Sequence, residues 1–189
     1  MRRLPALLLA ACALVTASGC GNEPAPTPDT MTPAAPRGTE PVRYRGAGLA
    51  LEAPVGWQAR PGRAPLITAF TSGQGSVAIL RYPRVEPLPR TRAELDAATD
   101  QLVAAATARD ASFRELRRSR TRVDGARAIV LRGTERVGGQ LREVRSTHIF
   151  SRRAEVVVDA FAPPAHFPRV DAQVFRPLLR SLELSRPRA

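Results

Sequence analysis

The sequence predicts an α+β domain: a twisted antiparallel sheet with one helix inserted midway and another at the C-terminal end. Three observations predict it. Asp124-Gly125 and Gly138-Gly139 each lie between strand-like segments, as in two-residue hairpins whose turns need positive φ. Leu95, Ala98, Leu102 and Ala105 recur at helical spacing, with Glu94, Asp96, Asp100 and Gln101 between them. Val170, Val174, Leu178 and Leu182 lie four apart, as on one face of a closing helix.

The elements follow in order. Residues 42–45 and 49–53 suit short strands, and Pro54-Val55-Gly56-Trp57 is a turn that delivers an aromatic. Residues 66–71 and 77–82 suit a strand pair around Ser72-Gly73-Gln74-Gly75. Thr91 followed by Glu94 fits a capping box, in which each side chain satisfies a backbone N–H at the helix start. Residues 113–123 and 126–137 meet through Asp124-Gly125, and Ser151-Arg152-Arg153 joins 141–150 to 155–161. Segments 126–131 and 156–161 are apolar on both faces, which marks central strands. Pro177 lacks an amide proton and is expected to kink or divide the last helix.

The beginning of the chain has a different character. Arg2 and Arg3 precede the apolar run 4–15, and small residues Ala17, Ser18 and Gly19 precede Cys20. This is the layout of an export signal, and the run is shorter than the about 20 residues that span a bilayer. Ala17-Ser18-Gly19-Cys20 resembles the lipobox of bacterial lipoproteins, which implies cleavage after Gly19 and lipidation of Cys20. Leu9-Ala10-Ala11-Cys12 fits that pattern better but leaves a minimal apolar core, and a signal cut without lipidation is the third reading. Residues 21–41 hold Pro24, Pro26, Pro28, Pro33, Pro36 and Pro41 and one large apolar side chain, Met31, so the segment is expected to be a tether. Residues 42–189 then form a single monomeric domain.

The net charge is +12, and every basic residue is Arg. That bias, with abundant Ala, Gly and Pro, fits a GC-rich genome and weakens the argument from charge to a polyanion partner. Export also separates the chain from cytoplasmic nucleic acid. With Cys20 acylated and Cys12 removed, no disulfide is available, so stability is expected from an apolar core.

The order of elements resembles the PsbP-like fold, in the version found in small bacterial lipoproteins of the LpqN type. The matching residues are Leu49-Ala50-Leu51-Glu52-Ala53-Pro54-Val55-Gly56-Trp57, similar to an opening strand that ends in Pro-x-Gly-Trp. Val123-Asp124-Gly125-Ala126-Arg127-Ala128 resembles a central Asp-Gly hairpin, and 175–182, ending in Leu179-Arg180-Ser181-Leu182, a closing helix. The resemblance implies a binding or assembly module, often at a membrane, with no shared catalytic site and no cofactor.

No catalytic motif emerges. Gly73-Gln74-Gly75-Ser76-Val77-Ala78 matches Gly-x-Gly-x-x-Ala, but strand-like sequence follows where a dinucleotide site needs a helix. A zinc site would require His148, His166 and a carboxylate such as Asp171 to converge. Glu94 and Asp96 suit a solvated helix face. Two features stand above this background. Arg118, Arg120 and Arg122 alternate along one strand and share a face, with Arg114, Arg117, Arg152 and Arg153 nearby. They suit either a charge-protected edge strand or attraction to anionic lipid or an acidic envelope polymer. Trp57, the only Trp, suits a core plug or an aromatic on a ligand or partner surface. The expected function is a non-catalytic, membrane-anchored envelope module that binds a partner protein or the envelope surface. The alternative is a small-molecule or lipid carrier with an apolar pocket lined by Leu66, Ile79, Leu102 and Phe161.

Overall fold

A computed structural model describes residues 31–188; the export signal, Cys20 and the first part of the expected tether lie outside the described residues. The strands are β1 (Thr39–Tyr44), β2 (Leu49–Pro54), β3 (Gln58–Pro61), β4 (Leu66–Ser72), β5 (Gly75–Pro83), β6 (Arg114–Val123), β7 (Ala126–Val137), β8 (Gln140–Ser151), β9 (Ala154–Ala162) and β10 (Glu183–Leu184). Helix α1 (Arg92–Arg109) lies between β5 and β6, and α2 (Phe167–Val170) and α3 (Arg176–Ser181) follow β9. The architecture is α+β and the pairings are antiparallel, as expected. There are two sheets rather than one: β1-β2-β10, and β3-β4-β5-β9-β8-β7-β6.

The second sheet arises because β2 is apolar on one face only. Leu49, Leu51 and Ala53 are buried while Ala50 and Glu52 are half-buried, so the strand packs over the large sheet rather than joining it. β10 pairs with β2 at Leu49 and Ala50, and Ser181 Oγ accepts from Glu52 N at 3.0 Å. The main core lies between this small sheet, the closing helix and one face of the large sheet. It includes Phe70, Ile79, Ile149, Val158, Phe167, Phe175 and Leu178, each at most 1% exposed. The opposite face meets α1 through Leu95, Ile129, Leu131 and Phe150. β7 and β9 are therefore covered on both faces, as their apolar runs predicted.

Local chemistry accounts for the element ends. Thr91 Oγ accepts from Glu94 N at 3.2 Å, and Glu94 Oε2 accepts from Thr91 N at 2.9 Å, completing the capping box. Those backbone bonds, from Thr91 and then Arg90, hold the Glu94 carboxyl below its ordinary value. Pro177 does not divide the closing helix. A π-helical turn, Asp171–Phe175, joins α2 to α3, with Arg176 N donating to Asp171 O, and Pro177 stands in the first turn of α3, where a missing amide proton is tolerated. Val170, Val174, Leu178 and Leu182 stay on the buried face throughout.

Three hairpin turns use positive φ at both central residues: Asp124 at 46° and Gly125 at 73°, Gly138 at 58° and Gly139 at 79°, and Arg152 at 53° and Arg153 at 57°. Only the last pair carries two arginine side chains in the left-handed region, which L-residues adopt at a cost of about 1–2 kcal/mol each. Arg153→Gly is therefore expected to stabilise the protein by about 1 kcal/mol, read as a raised denaturation midpoint with unchanged slope.

Ordered packing begins before residue 42. β1 starts at Thr39, and Pro33 is buried. Gln74 N donates to Met31 O at 2.9 Å, Ala34 N to Ser72 Oγ at 3.0 Å, and Arg37 N to Val55 O at 2.9 Å. A proline-rich segment has few donors of its own, but its carbonyls satisfy donors from the sheet.

Candidate functional site

The arginine strand faces α1 across the edge of the large sheet. β6 is the edge of the large sheet, and its alternating arginines point at the acidic face of α1. Arg118 binds Glu115 through Nε and Nη2, both at 2.7 Å, and Asp100 at 2.6 Å; Arg120 binds Asp96 at 2.5 Å. Arg122 donates to Gly125 O at 2.8 Å in the adjoining turn. Asp96, expected only as a solvated residue, is one half of this clasp. Two of the three arginines are neutralised by carboxylates of the same chain. Reversing them to Glu would also set like charges against Asp96 and Asp100, which loosens the helix rather than leaving the fold untouched.

Held at that edge, α1 covers β6 and β7 and leaves the strands beyond only partly roofed. Its buried positions are Leu95, Thr99 and Ala106, while Leu102 is half-buried and Ala105 exposed, so the buried stripe is rotated from the one its Ala and Leu spacing suggested. Between α1 and the sheet lies a cleft of about 280 Å³. Leu102, Phe113, Leu131, Val144, Val157 and Phe161 form its apolar walls. Of the four residues anticipated for a pocket, Leu102 and Phe161 line it. Ile79 is fully buried in the main core, because β5 turns Val77 and Ile79 to the opposite face, and Leu66 lies on β4, outside the cleft.

The floor carries a chain of polar groups. Ser146 and His148 alternate on β8, Glu155 and Asp159 lie four apart on β9, and the register pairs Ser146 with Asp159 and His148 with Val157. All four side chains reach the cleft. His148 Nδ1 lies 2.6 Å from Glu155 Oε1, and His148 Nε2 lies 2.9 Å from Ser146 Oγ. Ser146 Oγ lies 2.5 Å from Asp159 Oδ1. Among the described residues, none donates a hydrogen bond to Asp159 Oδ2, and the half-buried side chain lines the cleft. Arg84 reaches Glu155 from the rim at 3.5 Å, and Arg109 reaches Glu135 at 3.9 Å.

These groups share one mobile proton. With Nδ1–H donated to Glu155, the single hydroxyl proton of Ser146 has two destinations. If it goes to Asp159, Ser146 must accept from His148 Nε2, and the ring is an imidazolium between two carboxylates. If Asp159 holds the proton, it donates to Ser146, which donates to a neutral ring. Burial pushes the Asp159 carboxyl up, and the charge of Glu155 adds to this, against the Ser146 hydrogen bond and the charges of His148 and Arg109. Burial also pushes Glu155 up, but the His148 bond and charge and the Arg84 charge outweigh it and leave that carboxyl low. Tyr82 is raised by burial and by Asp159 and Glu155, and Glu135 chiefly by burial.

The sign for stability follows. A carboxyl whose folded pKa is raised weighs against folding as pH rises from its unfolded value, 3.8 for Asp159, through the folded one. Asp159→Asn keeps a partner for Ser146 and is expected to stabilise the protein at neutral pH, with the gain fading as pH falls from the raised folded value toward the unfolded value and absent below it. Urea denaturation of both forms across pH checks it.

Ser146, His148 and Glu155 reproduce two hydrogen bonds of a hydrolytic triad, without its other half. Ser146 Oγ is also held by Asp159, and the strand N–H groups around it are engaged in pairing with β7 and β9, so none is free to form an oxyanion hole. The zinc arrangement does not assemble either. His148 is held by Glu155 and Ser146, Asp171 is bound by Arg145 and Arg176, and among the described residues no three His, Cys, Asp or Glu side chains converge.

Trp57 is 7% exposed within the main core, and its Nε1 donates to Ala34 O at 3.0 Å. It is the core plug and presents no aromatic surface to a partner. The Gly-x-Gly match serves it: Gly73 turns at φ 51°, and a Cβ on Gly75 would lie 3.0 Å from both Trp57 and Pro33. Among the described residues no helix is long and apolar enough to cross a membrane.

No protein-family model matches the sequence, and no curated protein matches it closely enough to count. Solved structures do. Cyanobacterial PsbP (CyanoP) from Synechocystis superposes with a TM-score of 0.61 at 12% identity, over 78% of this chain and 92% of that one. LpqN of Mycobacterium tuberculosis, a protein involved in cell envelope biogenesis, superposes with a TM-score of 0.59 at 16% identity, over 78% and 91%. The fold is PsbP-like. The cleft of this PsbP-like domain was legible only in part. Ser146, His148, Glu155 and Asp159 went unnoticed as a group, although counting outward from the Arg152-Arg153 turn sets them on one face of one hairpin.

Proposed function

We propose that the protein is a lipid-anchored envelope module whose PsbP-like domain binds a small ligand in the cleft between α1 and the large sheet, without catalysis. The observation that carries this is the cleft itself: apolar walls, a polar floor, and one carboxylate oxygen, Asp159 Oδ2, that takes no hydrogen bond from the described residues. Ligand sites commonly combine an apolar lining with a few convergent polar groups, and about 300 Å³ is the lower end of their range. The arginine strand and Trp57 are both engaged within the domain, which favours the cleft over a surface patch. LpqN, similar in fold, is described in the context of the cell envelope, and the lipobox-like sequence agrees with that location.

Native mass spectrometry of protein released gently from membranes tests the cleft. The wild type is expected to carry a discrete small-molecule adduct. Ala105→Trp, which fills the cleft from an exposed helix position, is expected to lack it while retaining the wild-type circular dichroism. The same adduct on both proteins would reject the cleft as the site.

The anchor has its own test. Cys20→Ser is expected to release the protein from membranes after a high-salt wash, because two or more acyl chains, at about 0.8 kcal/mol per buried CH₂, supply attachment that one chain cannot. Retention of the Ser variant in the membrane pellet would reject the lipid anchor.

A further inference from the structure

Asp159 Oδ2, which takes no hydrogen bond from the described residues and opens to a cleft with apolar walls, points to a ligand of one charge type, and we propose that the cleft selects a small primary ammonium compound with an apolar body, the ammonium group donating to Asp159. This rests on the cleft being a ligand site. Asp159 is enclosed by protein except toward the cleft, and its only hydrogen-bond partner is Ser146. No arginine touches it: Arg84 is engaged with Glu155 and Arg109 with Glu135, both at the rim. Arg109 acts on Asp159 only at a distance and makes no ion pair with it, while Leu131, Val144, Val157 and Phe161 offer apolar contact to the rest of the ligand. An anionic ligand entering to the same depth would meet Glu155 and Asp159.

The proton chain supports the same ligand. An ammonium at Oδ2 favours the ionised form of Asp159. Ser146 Oγ stays beside the other carboxylate oxygen at 2.5 Å, and His148 links Ser146 to Glu155 through contacts of 2.9 and 2.6 Å, so the ammonium position at Oδ2 is the one the chain leaves open. The titratable and charged groups facing this chain are Tyr82 and Arg84 from β5 and the segment after it, Arg109 from α1, Glu135 from β7, and His148 and Glu155.

Isothermal titration calorimetry of the membrane-purified protein in nanodiscs, with empty nanodiscs as control, compares three phenyl-bearing probes: 2-phenylethylamine, its isostere 2-phenylethanol, and the slightly larger 3-phenylpropanoate. The amine is expected to bind about tenfold more tightly than the alcohol, the difference between a charge-assisted and a neutral hydrogen bond in an enclosed site. Asp159→Asn is expected to bring amine and alcohol within about twofold of each other, and Ala105→Trp to abolish binding of both. Equal binding of amine and alcohol by the wild type, or tightest binding of the carboxylate, overturns the ammonium assignment and leaves the cleft standing as a site. Absence of binding by all three probes overturns the assignment and the cleft together.

Discussion

Trp57→Ala is expected to cost about 3–5 kcal/mol of stability, the usual range for emptying a buried aromatic site. The side chain is 7% exposed and packs within the main core, so its removal leaves a cavity that the surrounding strands cannot close. Two contributions separate by substitution. Trp57→Phe keeps a ring but loses the 3.0 Å bond from Nε1 to Ala34 O, which leaves that carbonyl unpaired at a cost of about 1 kcal/mol beyond the change in packing. Gly75→Val tests the site from the other side, since Gly75 has no room for a Cβ against Trp57 and Pro33. Denaturant unfolding followed by far-ultraviolet circular dichroism reads all three. An Ala variant within 1 kcal/mol of wild type would show that Trp57 is not a core residue.

Asp171→Ala is expected to be comparably damaging, at about 3–5 kcal/mol, because it strands a partly buried cation. Asp171 is 3% exposed and accepts from Arg145 Nη1 at 2.7 Å through Oδ1 and from Arg176 Nε at 2.8 Å through Oδ2. Arg145 is the more enclosed partner, stacked 5.2 Å from the centre of the Phe175 ring, and its Nε already lacks a hydrogen-bond partner. Removing the carboxylate leaves that guanidinium charged between sheet and helix. Arg176 is half exposed, so Arg176→Ala is expected to cost no more than about 1 kcal/mol. The contrast between the two variants is the diagnostic. Similar small losses for both would mean that the ion pair is a surface feature.

Both residues show why sequence reading stopped where it did. Trp57 follows a Gly turn, a context shared by a plug and by a surface anchor. What distinguishes them is the carbonyl of Ala34, twenty-three residues upstream in a segment whose composition suggested a free tether. Asp171 was considered as a metal ligand because His148 and His166 are the only histidines. Its true partners are arginines on β8 and α3, which no spacing rule connects to it. The arginine strand was recognised by its alternation, and alternation does place those side chains on one face. That the face is turned toward Asp96 and Asp100 depends on where the chain lays α1 after leaving β5, a placement set by packing of Leu95 on Ile129 and Leu131.

Residues near one another in sequence determined the capping box at Thr91 and Glu94, the three positive-φ hairpins, the two-sided burial of β7 and β9, and the buried face of the closing helix. Each depends on interactions within a few residues or on simple periodicity, so the sequence states it directly. Tertiary structure alone decided that β1, β2 and β10 form a separate sheet, that a π turn carries the helix past Pro177, and that α1 stops short of roofing β8, β9 and β5. Those outcomes balance burial on several elements at once, and no single segment encodes the balance. The cleft belongs to this second kind. Its polar floor is written in one hairpin, but its existence as a space depends on a helix packed over Ile129 and Leu131 toward the sheet's edge, which leaves Asp159 half-buried and facing the cleft.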